Sequence, residues 1–398
     1  MGKNTIEKII NNNNQSIKIH KSYHYPDFSS ESILTKEPWE YVTHFLNTKV
    51  KENKEIDHIE EAIYFWEQGK NLYKLSSQAN SVTKPLLLYY CFLNTTKALL
   101  AYNKALYETD EKSLHHGIRQ LSPSIKENIF NSLKSNSSPY LGLTSFEDIQ
   151  QRAVFQNNTN KTNLKDIYVY FTQSKGVIAK LAKYLDNQKD LPILFSLDQL
   201  VSNLVFVHRA YSLNRGLSIR DQLFIPLEEA VFVTKTENQI KYFGFSASLD
   251  SKYASEIDEH NFNNYNFEKL SSKKLLILDK NREVTGENFY KKNSEFIKFI
   301  RKNHQYIAGS EFRWYLTKKK TSKIENLELN PLVILLAVFH CLSELTRYNP
   351  LKLRNMLDPK KNNESWLLYE LIEGAGFQFI DLIASEITGK VFKIPRSY

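Results

Sequence analysis

The sequence predicts an α+β protein in which helices from both ends of the chain form one bundle and the middle supplies a β-rich insertion. Apolar segments with helical periodicity lie at 55–103 and again at 330–387. Between 220 and 320, shorter segments alternate apolar and polar residues around polar turns. Because an apolar helix on each side of the middle needs a partner, packing the two ends into one discontinuous bundle buries both.

The chain divides into five predicted segments. The first is polar, with four asparagines in a row at 11–14, and we expect a poorly packed leader with one short helix. The predicted segments are the polar leader at 1–30, the N-terminal helical part at 31–120, a mixed helical segment at 121–219, a β-rich module at 220–320 and the C-terminal helical part at 321–398.

The N-terminal part is predicted to hold two long helices. Residues 55–75 place Ile59, Ile63 and Trp66 on one helical face and charged residues on the other, which indicates an amphipathic helix. The segment PLLLYYCFLNTTKALLAYN at 85–103 begins with a proline that suits a first helical turn. It is apolar nearly all round, which predicts a central helix.

The middle of the chain is predicted to contain shorter elements. Strands are expected at 167–171 (IYVYF), at 229–248 as two strands around a polar turn, at 273–279 (KKLLILD) and at 310–319 (SEFRWYLTKK). Helices are expected at 177–185 and 197–211.

The C-terminal part is predicted to hold two more helices. Asn330 suits an N-cap and Pro331 the first helical position, so LVILLAVFHCLSEL should be helical from there to about Thr346. Pro350 disfavours helical backbone at the residue before it, which limits that helix. A last helix is expected at 364–387, although two glycines in it could break or kink the backbone.

The charge of the chain is moderately positive. The formal net charge is +9, from 53 basic and 44 acidic residues, and the sequence pI is about 9.1. A positive surface favours polyanionic partners such as RNA, DNA or nucleotides through long-range attraction. A solvated basic surface without any such partner explains the same numbers, so charge alone leaves both interpretations open.

Cysteine content and apolar run lengths favour a soluble cytoplasmic protein. Cys91 and Cys341 both lie in apolar segments, where a reduced thiol behaves as a small core side chain. The apolar run at 332–339 is far shorter than the roughly 20 residues needed to cross a bilayer. We therefore expect no membrane partner.

Short catalytic motifs are missing from the sequence. GxxxxGK[ST], GxGxxG, HExxH, paired CxxC and GxSxG are all absent, so we predict neither a metal nor a cofactor. The common ATPase, Rossmann, zinc-hydrolase, redox and α/β-hydrolase classes lose support. An enzyme whose groups meet only in three dimensions remains open.

Three residues are the candidate catalytic groups: His115, His116 and Arg347. Imidazole titrates near neutral pH and can act as a general acid or base, and the histidines precede Gly117, which indicates a turn. Arg347 ends the apolar helix, where a guanidinium complements the helix dipole and can also bind a phosphate through two hydrogen bonds. The competing interpretations are ordinary surface histidines and a structural cap.

Five further residues are candidates for contacts with nucleic acid or another ligand. They are Tyr348, Asn349, Arg209, Arg215 and Arg220. The three arginines come from VHRAYSLNRGLSIRD, which predicts either a basic rim or a solvated loop. His340 lies inside LLAVFHCL, and a histidine there is more typical of a hydrogen-bonded core residue than of a catalyst.

Four segments carry a resemblance to a known family. Through LLLYYCFLNTTKALLAYN, SLHHG, LSELTRYNP and ASEITGK, in this order and over most of the chain, the sequence resembles the YaaC-like protein family of bacteria. That family has no established reaction. The resemblance therefore implies a shared fold and leaves the activity open.

A more distant similarity concerns YYCFLNTTKALLA followed by a short spacer and His-His-Gly, which resembles the second half of HEPN domains. These helical bundles include many metal-independent RNases of toxin and antiviral systems, which implies an Arg and His pair, usually at a dimer interface, acting on RNA. This sequence departs from their motif, an arginine four to six residues before a histidine: its nearest case is Arg301 with His304. Arg347 would instead have to meet His115 or His116 in space.

Two function hypotheses follow. The first is a cytoplasmic nucleic-acid-directed protein with a HEPN-like bundle, a metal-independent RNase-like effector of a bacterial conflict or antiphage system that can form homodimers. The second is a non-catalytic module that binds a nucleotide or a protein partner. Positive charge and the HEPN-like helices favour the first, whereas the missing catalytic motifs favour the second.

Overall fold

A computed structural model shows that the chain is an α+β protein, as predicted. The structure describes residues 6–12, 15–28, 32–106, 118–120, 163–171, 176–186, 194–237, 239–249, 251–256, 266–271, 273–283, 293–309 and 313–393. The helices are Trp39–Glu52 (α1), Asp57–Gln78 (α2), Lys84–Tyr102 (α3), Val177–Asp186 (α4), Leu197–Ser202 (α5), His208–Arg215 (α6), Ser294–Lys302 (α7), Pro331–Tyr348 (α8), Pro350–Leu357 (α9) and Ser365–Thr388 (α10).

The strands include most of those expected from the alternating pattern. They are Ile6–Ile9 (β1), Asn11–Asn12 (β2), Gln15–Ser16 (β3), Ile33–Leu34 (β4), Ile118–Gln120 (β5), Tyr168–Phe171 (β6), Leu194–Ser196 (β7), Phe224–Glu237 (β8), Ile240–Leu249 (β9), Asn266–Lys269 (β10), Lys274–Glu283 (β11), His304–Ile307 (β12), Arg313–Thr317 (β13) and Phe392–Lys393 (β14).

The chain folds into two compact units. The β unit consists of Met1–Glu37, Leu217–Glu328 and Thr388–Tyr398. The helical unit consists of Pro38–Gly216 and Leu329–Ile387. The N-terminal and C-terminal parts of the chain both contribute to both units. The β unit takes 1–37 and 388–398 from them, and the helical unit takes 38–216 and 329–387.

An antiparallel sheet in the order β10-β11-β9-β8-β13-β12 forms the β unit. One face carries three phenylalanines of β8 and β9, and the ring of Phe243 lies 5.2 Å from Phe296 of α7. The other face buries an aliphatic cluster. Its members are Val231, Val233, Leu276 and Leu278. Alternation along each strand therefore separates an aromatic face from an aliphatic one.

The leader differs from its prediction because it is packed against this sheet. Strand β1 pairs antiparallel with the C-terminal half of β8, and the Phe232 N–H donates to the Ile17 carbonyl at 2.9 Å. Ile17 and Ile19 are buried. The asparagines and lysines of the leader are typical of a segment that does not pack. Its backbone nevertheless forms hydrogen bonds with β8, and its isoleucines are buried in the core.

The C-terminal segment also joins the β unit, where β14 runs parallel to β4. The chain enters through Gly389, whose φ of +68° suits glycine and whose carbonyl accepts from the Asp27 N–H at 2.9 Å. A Cβ at this position would overlap the Tyr25 carbonyl oxygen. The β-rich module is therefore more than an insertion at 220–320.

Gly389→Ala should destabilise the protein by about 2–4 kcal/mol, from a left-handed backbone that disfavours a side chain and from overpacking against Tyr25. Gly216→Ala is the matched control, since Gly216 has a φ of +58° and open space around it. That variant should lose only about 1 kcal/mol. Urea denaturation of both variants measures the difference, and equal losses would contradict the close approach to Tyr25.

Helices from the two halves of the chain pack together in the helical unit. Phe92 of α3 stacks on Phe379 of α10 at a centroid distance of 4.0 Å and meets Phe339 of α8 at 5.0 Å. Trp66 of α2 donates its indole N–H to the Trp39 carbonyl at 3.1 Å. The apolar α3 and α8 are thus the core helices, which confirms their predicted roles.

The local signals at the start of α8 are confirmed. The Asn330 side chain accepts from the Leu332 N–H at 2.9 Å, and Pro331 occupies the first turn. Helix α10 is continuous through Gly374 and Gly376, so the expected break is absent; the second glycine lets α10 lie close to Leu88. The helix predicted at 197–211 is split into α5 and α6 by extended backbone at 204.

Within the described residues, α8 has the length and apolarity of a membrane span. Of that segment, 78% is buried inside the protein. Core helices of soluble proteins pass the same test, so this observation is weak evidence for a membrane.

Candidate functional site

Helix α8 ends at an exposed corner, and α9 starts directly after it; residues 344–361 are the α8–α9 corner. Asn349 makes the connection. Its backbone N–H donates to the Leu345 carbonyl at 2.9 Å, and its side-chain oxygen accepts from the Lys352 N–H at 3.2 Å. Asn349 therefore ends one helix and caps the next, with Pro350 in the first turn of α9.

The corner combines two exposed apolar side chains with several basic residues of the same segment. Tyr348 is 74% exposed and Leu351 is 65% exposed. Five basic residues lie in the corner: Arg347, Lys352, Arg354, Lys360 and Lys361. Only Glu344 and Asp358 are acidic. The corner is therefore a positively charged, partly aromatic surface.

Arg347 pairs with Glu344 one turn earlier on α8, and its guanidinium carbon lies 5.2 Å from the centroid of the Tyr348 ring. On the buried side, the ring of His340 meets that of Tyr89 edge to face at 5.2 Å. Burial raises the pKa of Tyr89, and the charge of Arg347 opposes that rise. His340 is 6% exposed, which confirms it as a core histidine.

His115 and His116 lie outside the described residues. Their convergence with Arg347 therefore stays a prediction. Arg209 on α6 is exposed in the helical unit, and Arg220 is exposed in the β unit, where its carbonyl accepts from Lys318 Nζ at 3.1 Å. The ligand-binding roles of these two arginines also stay predictions.

Arg215 lies in a different environment from the other two arginines of its segment. Its Nη2 contacts Asp198 of α5 and, at 2.5 Å, Glu364 just before α10. The Tyr211 hydroxyl donates to the other Asp198 oxygen at 3.0 Å, and the Leu164 N–H donates to the other Glu364 oxygen at 2.7 Å. The Arg215 cluster, formed by Arg215, Asp198, Tyr211 and Glu364, thus connects α5, α6 and the residue before α10, and the bond from Leu164 adds a fourth segment of the helical unit.

The electrostatics of the Arg215 cluster are those of a shielded ion triad. The three charged side chains are 17%, 11% and 5% exposed for Arg215, Asp198 and Glu364. Burial alone would lower the pKa of Arg215, but the two carboxylates outweigh burial and raise it. Burial, together with the Asp198 charge, raises the pKa of Tyr211. The arrangement holds elements together and leaves Arg215 permanently charged.

A second buried arginine, Arg301, lies at the end of α7 in the β unit and is 2% exposed. Its Nε donates to the Lys21 carbonyl at 2.9 Å, and its Nη1 donates to the Tyr23 hydroxyl at 3.0 Å and to the His304 carbonyl at 2.7 Å. Three aromatic rings surround the guanidinium, those of Tyr23 at 3.9 Å, Trp314 at 5.2 Å and Tyr306 at 5.6 Å.

The same place holds a buried lysine and two buried histidines. Lys21 is 1% exposed, and its Nζ donates to the Phe392 carbonyl at 2.7 Å. His20 accepts from the Ser22 N–H at Nδ1, at 3.0 Å, and the Nδ1 of His304 lies 2.6 Å from the Ile300 carbonyl. We call Arg301, Lys21, His20, His304 and the three rings the Arg301 centre.

Comparison with known proteins identifies the family. The family model described as YaaC-like protein matches residues 25–387. The chain belongs to the YaaC-like family. No curated protein and no solved structure matches the chain significantly.

No sequence pattern predicts the two buried clusters of this YaaC-like protein, the Arg215 cluster and the Arg301 centre. Asp198 and Glu364 carry no motif and lie 166 residues apart, and Lys21 is separated from Arg301 by 280. One signal was present, because Arg301 falls within an amphipathic helix on the side that also carries apolar residues. Among the described residues of the YaaC-like chain, no group of three or more metal-ligating side chains occurs.

Proposed function

We propose that this YaaC-like protein is a nucleic-acid-directed protein that binds RNA through the α8–α9 corner. The observation that carries the proposal is the Tyr348 ring, which is 74% exposed, lies 5.2 Å from the Arg347 guanidinium carbon and belongs to an 18-residue segment with five basic residues. Proteins that bind single-stranded nucleic acid combine a positively charged surface with aromatic rings on which bases stack. The corner supplies both features on a connection that Asn349 holds in place.

The interaction would have two physical components. Base stacking on Tyr348 contributes on the order of 1–3 kcal/mol per base. Arg354 and Lys360, both exposed, would contact phosphates and release counterions, which makes the affinity depend on salt. Arg347 pairs with Glu344 in the free protein, so a phosphate would compete for the same guanidinium.

The cleavage part of the proposal rests on the HEPN-like arrangement of the bundle. In it, His115 or His116 would take the proton of a ribose 2′-hydroxyl as the 2′-oxygen attacks phosphorus, and Arg347 would stabilise the negative charge on the non-bridging phosphorane oxygens. The P–O5′ bond would then break, the 5′-oxygen would leave as a hydroxyl with the proton returned by the histidine, and a 2′,3′-cyclic phosphate would remain. The packing of α3 against α8 supports a bundle built from both halves of the chain. We propose a cytoplasmic effector of a bacterial conflict system, active as a homodimer.

Tyr348→Ala should weaken binding of a labelled single-stranded RNA by about 5-fold to 150-fold, the equivalent of one lost stacking contact. Fluorescence anisotropy at fixed salt measures the affinity. Tyr64→Ala is the matched control, since Tyr64 on α2 is 60% exposed and its charged neighbours in the sequence, Glu60, Glu61 and Glu67, are acidic. Arg354→Ala should reduce the salt dependence by about 0.7 in log–log slope for one lost contact. Equal affinities of the Tyr348 and Tyr64 variants would refute an RNA interface at the corner.

Cleavage is tested separately by incubating the full chain with RNA in the presence and absence of EDTA. A metal-independent RNase would cut in both, and His116→Ala or Arg347→Ala would abolish the products. If RNA binds through the corner and stays intact, the proposed cleavage is wrong and the protein is a non-catalytic binding protein.

A further inference from the structure

We propose that the Arg301 centre of the β unit is a binding site for a phosphate group, whose oxygens accept hydrogen bonds from Arg301 Nη2–H and His20 Nε2–H. This site is independent of the proposed RNA interface, which consists of other residues in the helical unit. Its ligand class is a small phosphate, either free or carried by a nucleotide.

The first observation concerns the buried charge of Arg301. Its hydrogen bonds go to two carbonyls and one hydroxyl, which are neutral acceptors. Among the described residues, no carboxylate pairs with this guanidinium, and its Nη2 has no hydrogen-bond partner. A buried cation normally has an anionic partner, because removal from water costs several kcal/mol. The stacked Tyr23 ring offsets part of this cost but does not supply an acceptor for Nη2.

The second observation concerns the protonation of His20. Its Nδ1 accepts a hydrogen bond from the Ser22 N–H, so in the neutral ring the proton is on Nε2. Burial, followed by the charge of Arg301, lowers the pKa of His20 to about 3, which keeps the ring neutral at physiological pH. Nε2–H is therefore a buried donor, and it has no partner in the described part of the chain.

The two donors belong to one neighbourhood. His20 precedes Lys21 in the chain, and the Lys21 carbonyl accepts from Arg301 Nε. Arg301 is also the strongest charge acting on His20. One anion next to Lys21 could thus satisfy both donors, in the same way that buried unsatisfied groups in other proteins are explained by a bound ion.

The chemistry of the guanidinium favours phosphate as the anion. Arg301 contributes a positive charge that no carboxylate of the described residues pairs with, and a phosphate near neutral pH carries between one and two negative charges. Asp27, the nearby acidic side chain, is paired with Lys390 at 2.5 Å and so adds little net charge. A planar guanidinium is the side chain best suited to bind phosphate oxygens, and the surrounding rings exclude water that would screen the interaction.

Isothermal titration calorimetry of the dialysed full chain with inorganic phosphate tests the site, with AMP and acetate as parallel titrants. His20→Asn removes Nε2–H but keeps an acceptor for the Ser22 N–H, and it should weaken phosphate binding about 10-fold. Arg301→Lys keeps the positive charge but lacks the planar guanidinium with its paired N–H donors, and it should weaken phosphate binding at least as much. Arg313→Lys, an exposed arginine of the same unit, is the matched control and should bind like the unmodified protein.

Each outcome decides the proposal. Phosphate binding that His20→Asn weakens and Arg313→Lys does not would support it. Binding of AMP alone would assign the phosphate to a nucleotide if His20→Asn weakens it, and would overturn the proposal if Tyr348→Ala weakens it instead. Three results would overturn the proposal: neither phosphate nor AMP binds, all folded variants bind phosphate equally, or acetate binds as tightly as phosphate. In each of these cases a buried water would be the partner of the two donors. Circular dichroism confirms folding, and because His20→Asn is conservative the test survives if Arg301→Lys does not fold. Tyr348→Ala should leave phosphate binding unchanged, so this test and that of the RNA interface fail independently.

Discussion

Arg215→Met is expected to destabilise the helical unit by about 3–5 kcal/mol. Asp198 and Glu364 both use the Arg215 guanidinium as their cation, and their side chains are only 11% and 5% exposed. Removing the arginine leaves two shielded carboxylates close to one another without a counter-charge, and breaking a buried ion pair from one side is strongly destabilising. Loss of the side chain also removes the ion pair between α6 and the residue before α10, where the Asn214 side chain still donates to the Asn363 carbonyl at 2.7 Å.

Urea denaturation followed by far-ultraviolet circular dichroism measures this effect. Arg209→Met is the matched control, because Arg209 lies on the same helix and is exposed; it should change stability by less than about 0.5 kcal/mol. The combined variant Asp198→Asn, Arg215→Met, Glu364→Gln removes all three charges and should regain much of the loss. If Arg215→Met is as stable as Arg209→Met, the cluster does not hold the helices together.

Lowering the pH from about 7.5 to about 5 is expected to reduce the free energy of unfolding of the β unit by about 4 kcal/mol, with about 2 kcal/mol from each of two buried histidines. Burial and then Arg301 lower the pKa of His20 to about 3; Lys21 and Lys390 act in the same direction, and Asp27 opposes them. Burial is also the main cause that lowers the pKa of His304 to about 4, against the raising effect of its bond to the Ile300 carbonyl.

The sign follows from proton binding in the two states. In the unfolded chain both histidines take up a proton near pH 6.5, whereas in the folded unit they stay neutral until about pH 3–4. Below pH 6.5 the unfolded state therefore binds more protons, and stability falls as the pH falls. The contribution of the neutral rings is complete above pH 6.5.

Urea denaturation at both pH values, in phosphate-free buffers, measures the pH effect. His20→Asn cannot titrate and should reduce the difference between the two pH values by about 2 kcal/mol. His44→Asn changes an exposed histidine of α1 and serves as the control, with the difference unchanged. A pH dependence that is the same in the His20 variant and the unmodified protein would show that His20 takes up its proton at the same pH in the folded and unfolded states, and would contradict the lowered pKa.

Local features of the fold could be predicted from the sequence. The start of α8 depends on Asn330 and Pro331, which act on their own helix, and the observed cap matches the expectation. Strands β8 and β9 form a hairpin between neighbours in the chain, so alternation was sufficient. The location of β1 was not predictable in this way, because its partner β8 lies more than 200 residues later.

The residues of the candidate site divide in the same way into those that local sequence predicts and those whose role depends on distant partners. Arg347 and Tyr348 were identified because they lie at the end of a strongly apolar segment, just before Pro350. In the structure they are the last two residues of α8 and are exposed. Arg215 was grouped with Arg209 and Arg220 because the three are close in sequence. Arg215 lies between two carboxylates, and the residues that neutralise it come from α5 and from the position just before α10.

The sequence by itself determined the fold class, the two core helices, the strands of the middle and the ends of α8, because periodicity, capping and proline act within a few residues. Only the tertiary structure decided which segments meet: the leader and C-terminal segment with the sheet, Asp198 and Glu364 with Arg215, and Lys21 with Arg301. The physical reason is that a buried charge is defined by neighbours distant in the chain, which no local pattern encodes.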